Sequence, residues 1–249
     1  MNNIRLEKIR KLLEENHLVT IKQIQAICPE VSLMTIHRDL DILEQSGDIV
    51  KVRGGARSVR HTGDLGYDVR LRENVAAKNI IARKALSLIQ PGSTLFLDAS
   101  TTNLMLARAL PDIDLHIFTT GPNIAIELSR LHDATITVCC GTMNRKNMAI
   151  SGQNTVQMLD SINLDLAFIG VSGCSAEAGF TCGTESDMVV KRLVNQKART
   201  SALVCDYDKF SRLMPYTFAR FSEADYLICD REVPEAIRAA AQAEKMTIL

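Results

Sequence analysis

The chain has 249 residues, 46% of them hydrophobic, and its 29 basic residues balance 29 acidic ones. That length suits one large domain or a small and a medium one, and that apolar content excludes a disordered chain. Zero formal net charge excludes a protein that grips polyanions over its whole surface, so any nucleic-acid contact must come from a local basic patch.

Ile4–Glu15 predicts a helix with Ile9, Leu12 and Leu13 on its apolar face. Thr20 predicts the cap of a second, short helix holding Ile21, Ile24 and Ile27, which Pro29 ends. Ser32 then caps a third helix, because its hydroxyl can accept from an orphan amide of the first turn. Ile36, Leu40 and Leu43 fall on one face of that helix, Thr35, His37, Arg38 and Asp41 point elsewhere, and Gly47 closes it. Ile49–Arg53 predicts a strand, Gly54-Gly55 a tight turn, and a second basic strand follows through Arg57 and Arg60. Helix, helix, turn, helix and wing within about 60 residues is the pattern of a winged DNA-reading module. In such a module the helix fits the major groove and the wing lies along the phosphates. An ordinary helix and hairpin with a solvated charged face is the alternative. The agreement of every cap and breaker with one arrangement favours the DNA reader.

His61–Tyr67 reads as a linker, and Glu73–Ile89 as a long helix ended by Pro91-Gly92. From there strands alternate with helices. Strands are expected at Thr94–Leu97, His116–Thr119, Ala134–Cys140, Leu166–Val171, Ser201–Cys205 and Tyr226–Cys229. Helices are expected from Ser100 to Leu110, Pro122 to Leu131, Thr155 to Ser161, Glu185 to Ala198 and Pro234 to Ala243. The alternation predicts an α/β domain with a parallel sheet covered on both faces. The expected division is a winged helix-turn-helix domain over 1–60, a linker over 61–72 and a second domain over 73–249.

Ligands of such sheets bind beyond the carboxyl ends of the strands. Asp98, Ser100, Thr101 and Thr102 lie there at a helix start, where free N–H groups and the helix dipole favour an anion such as phosphate. Thr120 and Asn123 repeat this at the next strand, Gly141 and Gly170 offer close-approach loops, and Lys191 and Lys209 offer cations. Any one of these loops is read more simply as a cap or turn; together at one edge they favour a phosphorylated small ligand. Asp206 and Asp208 beside Lys209 read as a solvated or ion-paired turn rather than as acid–base groups.

Neither nucleotide fingerprint, G-x-G-x-x-G after a strand or G-x-x-x-x-G-K-[ST], is present. The five His are scattered, and the seven Cys include no CxxC pair. Adjacent Cys139-Cys140 suits neither an ordinary bridge nor a spaced metal site. No metal and no cofactor are expected, and the thiols are expected buried in a reducing cytosol. The charged start MNNIRLEKIRKLLEEN is unlike a signal peptide, and no apolar run nears the roughly 18 residues of a membrane span. A cytoplasmic protein without membrane contact is expected.

These residues resemble the DeoR family of bacterial transcriptional regulators over essentially the whole chain. The family's Ser-x-x-Thr-Ile-Arg-Arg-Asp-Leu and wing His-Gly-Gly-Ala are met by Ser32-Leu33-Met34-Thr35-Ile36-His37-Arg38-Asp39-Leu40 and Arg53-Gly54-Gly55-Ala56. His37 and Arg53 replace a usual Arg and His, so a different operator read in the same mode is expected. The resemblance continues through Arg70, Ala77-Lys78 and Ile81-Ala82, through Asp98–Thr102, Thr119–Asn123 and Cys140–Arg145. It ends with Gly179-Phe180-Thr181, the acids Glu185 and Asp187, Lys191, and Asp206–Phe210.

The resemblance implies a Rossmann-like sensor domain related in fold to sugar-phosphate isomerases, with a phosphorylated sugar as effector. Those isomerases carry an Asp-Gly-Ala-Asp-Glu run whose carboxylates move protons. Here the similar place reads Ile169-Gly170-Val171-Ser172-Gly173, which offers no general base within reach of a substrate proton. A binder without catalysis is therefore expected. Its DNA contacts would be Ser32, Thr35, His37, Arg38, Lys51, Arg53 and Arg57. Phosphate would meet Ser100, Thr101 and Thr102 with Lys209 and Lys191, and sugar hydroxyls would meet Asp98, Asn123 and Glu185. The implied partner is double-stranded operator DNA, the implied role repression of a carbohydrate-metabolism operon. The implied assembly is a homo-oligomer, dimer or tetramer, since such readers use two-fold symmetry. Two alternatives stay open. One is an isomerase-like enzyme with an attached DNA-binding domain. The other is a protein scaffold, which the Arg38, Lys51, Arg53, Arg57 and Arg60 cluster disfavours.

Overall fold

The computed structural model describes residues 2–16, 18–46, 49–52, 54–58, 66–210 and 212–249. The chain divides into two compact units, Met1–Leu65 and Gly66–Leu249.

The first unit holds α1 (Asn2–Asn16), β1 (Leu18–Thr20), α2 (Ile21–Ile27), α3 (Leu33–Gln45), β2 (Ile49–Val52) and β3 (Gly55–Ser58). Local chemistry sets each start. Thr20 accepts from the Gln23 amide at 3.3 Å while the Gln23 side chain returns to the Thr20 amide at 2.8 Å, a reciprocal cap for α2. Ser32 Oγ accepts from the Thr35 amide at 3.3 Å and starts α3. At the other end the Ser46 hydroxyl donates to the Leu43 carbonyl at 2.9 Å; Gly47, expected to close this helix, lies outside the described residues. Ile9, Leu13, Ile24, Ile36, Leu40 and Leu43 meet in one core. Two bonds from Arg5 on α1 reach the buried carboxylate of Asp39 on α3, one of them at 2.9 Å, and so set the angle of α3.

The wing has strand order β1-β3-β2, all antiparallel, with Thr20 opposite Gly55 and Val52 opposite Gly55 across the turn. The second strand ends at Ser58, so Arg60 lies outside the described residues. A Cβ on Gly55 would sit 2.1 Å from the Val19 carbonyl oxygen. Backbone cannot yield as a flexible side chain does. Gly55→Ala is therefore expected to pry β3 from β1 at a cost of about 1–3 kcal/mol. Urea unfolding should show a lower midpoint for the first unit and an unchanged one for the second.

The second unit opens with α4 (Tyr67–Arg72) and α5 (Val75–Leu86), then β4 (Thr94–Leu97), α6 (Thr101–Ala109), β5 (Leu115–Thr119), α7 (Pro122–Leu128) and β6 (Ala134–Val138). It continues with β7 (Thr142–Asn144), β8 (Ala149–Ser151), α8 (Gln153–Asp160), β9 (Leu164–Gly170), β10 (Gly173–Ser175), β11 (Gly179–Cys182), α9 (Glu185–Lys197) and β12 (Ala198–Val204). β13 (Tyr216–Ala219), β14 (Tyr226–Ile228), α10 (Glu235–Ala243) and β15 (Thr247–Ile248) complete it. A seven-stranded sheet runs β15-β14-β12-β9-β4-β5-β6, and every pairing in it is parallel. Both faces are buried, as continuous apolar strands require. Leu95 and Leu97 of β4 join a core with Ile81 and Leu104, whereas Phe96 between them joins another with Val190 and Val194.

Three differences from the sequence expectation matter. Tyr67–Arg72, assigned to the linker, form helix α4 of the second unit. The helix expected over 73–89 runs only from Val75 to Leu86, because Asn74 takes a left-handed φ of 50° that separates α4 from α5. The short strands β10, β11 and β13 form a separate antiparallel sheet, and β7 with β8 forms a hairpin. Strands of three or four residues are too brief to show an alternation.

Candidate DNA-reading surface and effector site

On α3, Ser32 lies 3.0 Å from the Thr35 hydroxyl, and both are bound into the helix start. His37 and Arg38 face solvent. So do Leu33 and Met34 on the same first turn, 50% and 73% exposed; aliphatic groups at that place suit a thymine methyl. Lys51 is turned towards α3: its ammonium pairs with Asp41, and its amide donates to Glu44 at 2.8 Å. A phosphate must compete with Asp41 for it. Arg53 and the side chain of Arg57 lie outside the described residues; the Arg57 backbone pairs with Leu18 and Val50.

In the second unit, the loops after β4, β5, β9 and β12 share the carboxyl edge of the sheet. Asp98 is wholly engaged there. One oxygen accepts from the Ser100 amide at 3.0 Å and the Asn103 side chain at 2.8 Å. The other accepts from the Gly170 amide at 2.8 Å and pairs with the Lys191 ammonium. Lys191 also donates to the Gly170 carbonyl at 2.7 Å and lies 3.7 Å from Asp187. Burial alone would push the Asp98 carboxyl up, but Lys191 and the amide donors outweigh it and hold it below its ordinary value. Burial likewise opposes the Lys191 charge, and Asp187 with Asp98 overrides it upward. Asp98 and Lys191, expected to meet sugar and phosphate, join β4, β9 and α9 to one another in this structure.

Ser100 caps α6, accepting from the Asn103 amide at 3.2 Å, and the side chains of Thr101 and Thr102 are buried. A Cβ on Gly170 would lie 2.4 Å from the Ser100 Cβ, so this glycine lets β9 approach the start of α6. Gly141 likewise makes room for Thr155. The Thr120 carbonyl accepts from Ile150 at 2.8 Å. Asn123 donates to the Tyr67 hydroxyl. Glu185 is exposed in the first turn of α9, where Thr184 is the cap.

Lys209 is buried 3.8 Å from Asp206, and it has a neighbour that sequence reasoning did not assign to the site. The Lys78 ammonium is buried on α5, where it donates to the Glu73 carbonyl at 2.6 Å and to the Arg70 carbonyl. Burial pushes it down to about 8; Lys209 and Arg70 add to this, and Asp206 and Glu73 oppose it. Burial also lowers Lys209, against Asp206 and with help from Arg212. Asn74 reaches the same loop, donating to Asp206 at 3.0 Å and Asp208 at 2.9 Å. One signal for Lys78 was in the sequence: Lys78, Ile81, Ala82 and Ala85 fall at i, i+3, i+4 and i+7, so this lysine interrupts a buried stripe. Two buried ammonium groups that act on one another, with Asp206 beside Lys209, suit an anion.

Six Cys are buried and Cys140 is exposed. Burial pushes the Cys174 and Cys229 thiols up to about 12, which leaves them unreactive. Among the described residues no group of three or more His, Cys, Asp or Glu is placed to hold a metal ion, and no helix is long and apolar enough to cross a membrane.

A family model described as the DeoR-like helix-turn-helix domain matches residues 5–62, and one described as the DeoR C terminal sensor domain matches 73–231. The chain is 35% identical over 228 residues to the HTH-type transcriptional repressor GlcR of Bacillus subtilis, covering 91% of this chain and 88% of the relative. It is 31% identical over 236 residues to the glycerol-3-phosphate regulon repressor of Haemophilus influenzae, covering 94% and 91%. Among solved structures, ribose 5-phosphate isomerase A from Methanocaldococcus jannaschii aligns over 55% of each chain at a TM-score of 0.42 and 15% identity. Both parts of the chain are matched in order, and the relatives align nearly end to end: the chain belongs to the DeoR family and is a DNA-binding transcriptional regulator.

Proposed function

We propose that the chain represses a carbohydrate-metabolism operon in the cytoplasm, as a homo-oligomer whose operator binding is controlled by a phosphorylated sugar. The observation that carries this reading is the pair of buried ammonium groups, Lys78 and Lys209, at the carboxyl edge of the sheet beside Asp206. Buried cations are costly unless an anion meets them, and phosphate fits two cations and the nearby start of a helix. One relative carries glycerol 3-phosphate in its name, a phosphorylated polyol of the same chemical class. The phosphate would lie against Lys78 and Lys209 with the Ser100–Thr102 turn, and the sugar hydroxyls against Asn123 and Glu185.

Catalysis is disfavoured by the chemistry of the edge. The Gly170–Gly173 loop carries no carboxylate, Asp98 is held by Lys191, and Asp206 and Asp208 are held by Asn74. Calorimetric titration of sugars and their phosphates, with an isomerase assay beside it, tests the reading. Tight binding of one phosphate, weak binding of its parent sugar and no turnover are expected. Equal affinity for both would remove the phosphate site.

On the DNA side, Arg38→Ala is expected to weaken operator binding by roughly 1–3 kcal/mol and to relax base preference. A wing Arg53→Ala would weaken all sequences alike and lower the salt slope by about one. Fluorescence anisotropy on a fragment from upstream of the gene, over a salt series, distinguishes them. Unchanged affinity in the double variant would refute the assignment.

A further inference from the structure

Helix α4 is fastened at both ends to residues of the candidate effector site. At its start, Tyr67 is buried, its hydroxyl accepts from Asn123, and its amide donates to the Lys146 carbonyl at 2.8 Å. At its end, the Lys78 ammonium gathers the Arg70 and Glu73 carbonyls, so the cation that suits an anion also caps α4. Beyond that cap Asn74 stands at the start of α5. It does not cap that helix with its side chain, and in a left-handed conformation it reaches instead for Asp206 and Asp208. A backbone held in a sparsely populated region persists only where its surroundings over-determine it.

Tyr67 and Leu71 pack α4 against the core that holds Leu104, but the helix is short. It has six residues and no side-chain cap at Gly66, far below the length at which a helix is stable alone. The Asn123 amide offers an independent point of contact for a ligand. Its Oδ1 is buried without a hydrogen-bond partner. Turning the amide over would only exchange which end lacks one.

We propose that α4 is a strap, fastened when the site is empty and released when a phosphorylated ligand takes Lys78 and Asn123 from it. The inference rests on the effector reading above and adds its regulation. A phosphate oxygen outcompetes two neutral carbonyls for an ammonium group, and a sugar hydroxyl satisfies the orphaned end of Asn123. α4 also follows, in the chain, the segment that leads out of the wing. Six residues span about 9 Å as helix and about 20 Å extended. Release therefore lengthens the stretch of chain that joins a DNA-reading unit to its sensor, and the half-sites of an operator demand a set spacing. The effector lowers operator affinity by as much as it prefers the released state.

Two variants test the strap without any ligand. Tyr67→Phe removes the bond to Asn123, and Asn74→Gly removes the bonds to Asp206 and Asp208 while keeping the left-handed backbone. Each is expected to weaken binding to the upstream DNA fragment at least tenfold in the full-length protein, with circular dichroism and the unfolding midpoint of the second unit confirming the fold. Operator affinity equal to wild type in both folded variants overturns the proposal. Hydrogen exchange supplies the second arm, with inorganic phosphate as probe. Phosphate is expected to speed exchange of the Arg70 and Glu73 amides, which bond to Gly66 and Val69, at least tenfold. Slower or unchanged exchange at phosphate levels where calorimetry shows binding overturns the strap and leaves the effector site standing. If calorimetry shows no binding of inorganic phosphate, the titration of sugars and their phosphates decides the effector reading, and the ligand-free variants decide for or against the strap.

Discussion

Replacing Lys191 by methionine is expected to destabilise the second unit by about 3–5 kcal/mol, the range for removing one partner of a buried ion pair. The Asp98 carboxylate left behind is 2% exposed and would have no cation. The amides of Ser100 and Gly170 and the side chain of Asn103 would still donate to it, which places the loss short of a fully orphaned charge. The double variant Asp98→Ala with Lys191→Met should recover much of the loss, since no charge then remains buried. Urea unfolding of the three variants checks both statements. A single Lys191→Met within about 1 kcal/mol of wild type would mean that water reaches Asp98.

The pH dependence of this pair has a definite sign. Asp98 is held below its ordinary value of 3.8, so its contribution is full above that pH and is lost as acid passes through the lower native value. Lys191 is held above its ordinary 10.5, so its share is full below that pH and fades only in stronger alkali. Between these limits the pair contributes a constant amount. The stabilities of wild type and of the double variant should therefore begin to approach one another only as the pH falls below about 4.

Lys78→Met is expected to have the largest effect on ligand binding. A hydrogen bond from a charged donor contributes about 1.5–3 kcal/mol, so the affinity for a phosphorylated ligand should fall roughly 10- to 150-fold. The affinity for the parent sugar should hardly change. Lys78 also predicts a pH profile. Burial lowers its ammonium to about 8, with Lys209 and Arg70 adding and Asp206 and Glu73 opposing. The charged form is the one that attracts phosphate, so wild-type affinity is full below about pH 8 and declines above it, by up to about tenfold per unit as binding takes up a proton. The methionine variant should lose the step that belongs to Lys78 and keep only the pH dependence of Lys209. Calorimetry at pH 7 and pH 9, in buffers of different ionisation enthalpy, measures both the affinity and the proton uptake. A wild-type affinity independent of pH would place the phosphate away from Lys78.

Much of this was legible in the sequence because the signals were local. Ser32 and Thr20 cap their helices with atoms three residues away. The stripe Ile36, Leu40 and Leu43 marks the buried face of α3 within two turns. Strand–helix alternation decides that the sheet is parallel and covered on both faces, for geometric reasons independent of which side chains later meet. The family motifs lie in the same short windows, and so the DNA-reading and sensor parts could be expected before any fold was seen.

The tertiary structure alone decided what those motifs do. Asp98 and Lys191 are 93 residues apart in the chain and Asn74 and Asp206 132 apart. No local pattern tells a carboxylate at a strand end that it will be spent on a lysine of another helix. Likewise β11 finds β13 only because the chain between them returns through β12. Lys78 stood on an apolar stripe, a local oddity whose meaning appeared only when α4, α5 and the loop after β12 enclosed it. Helix caps and periodicity are fixed by neighbours within a few residues, whereas the charge state and partners of a buried group depend on everything the fold brings around it.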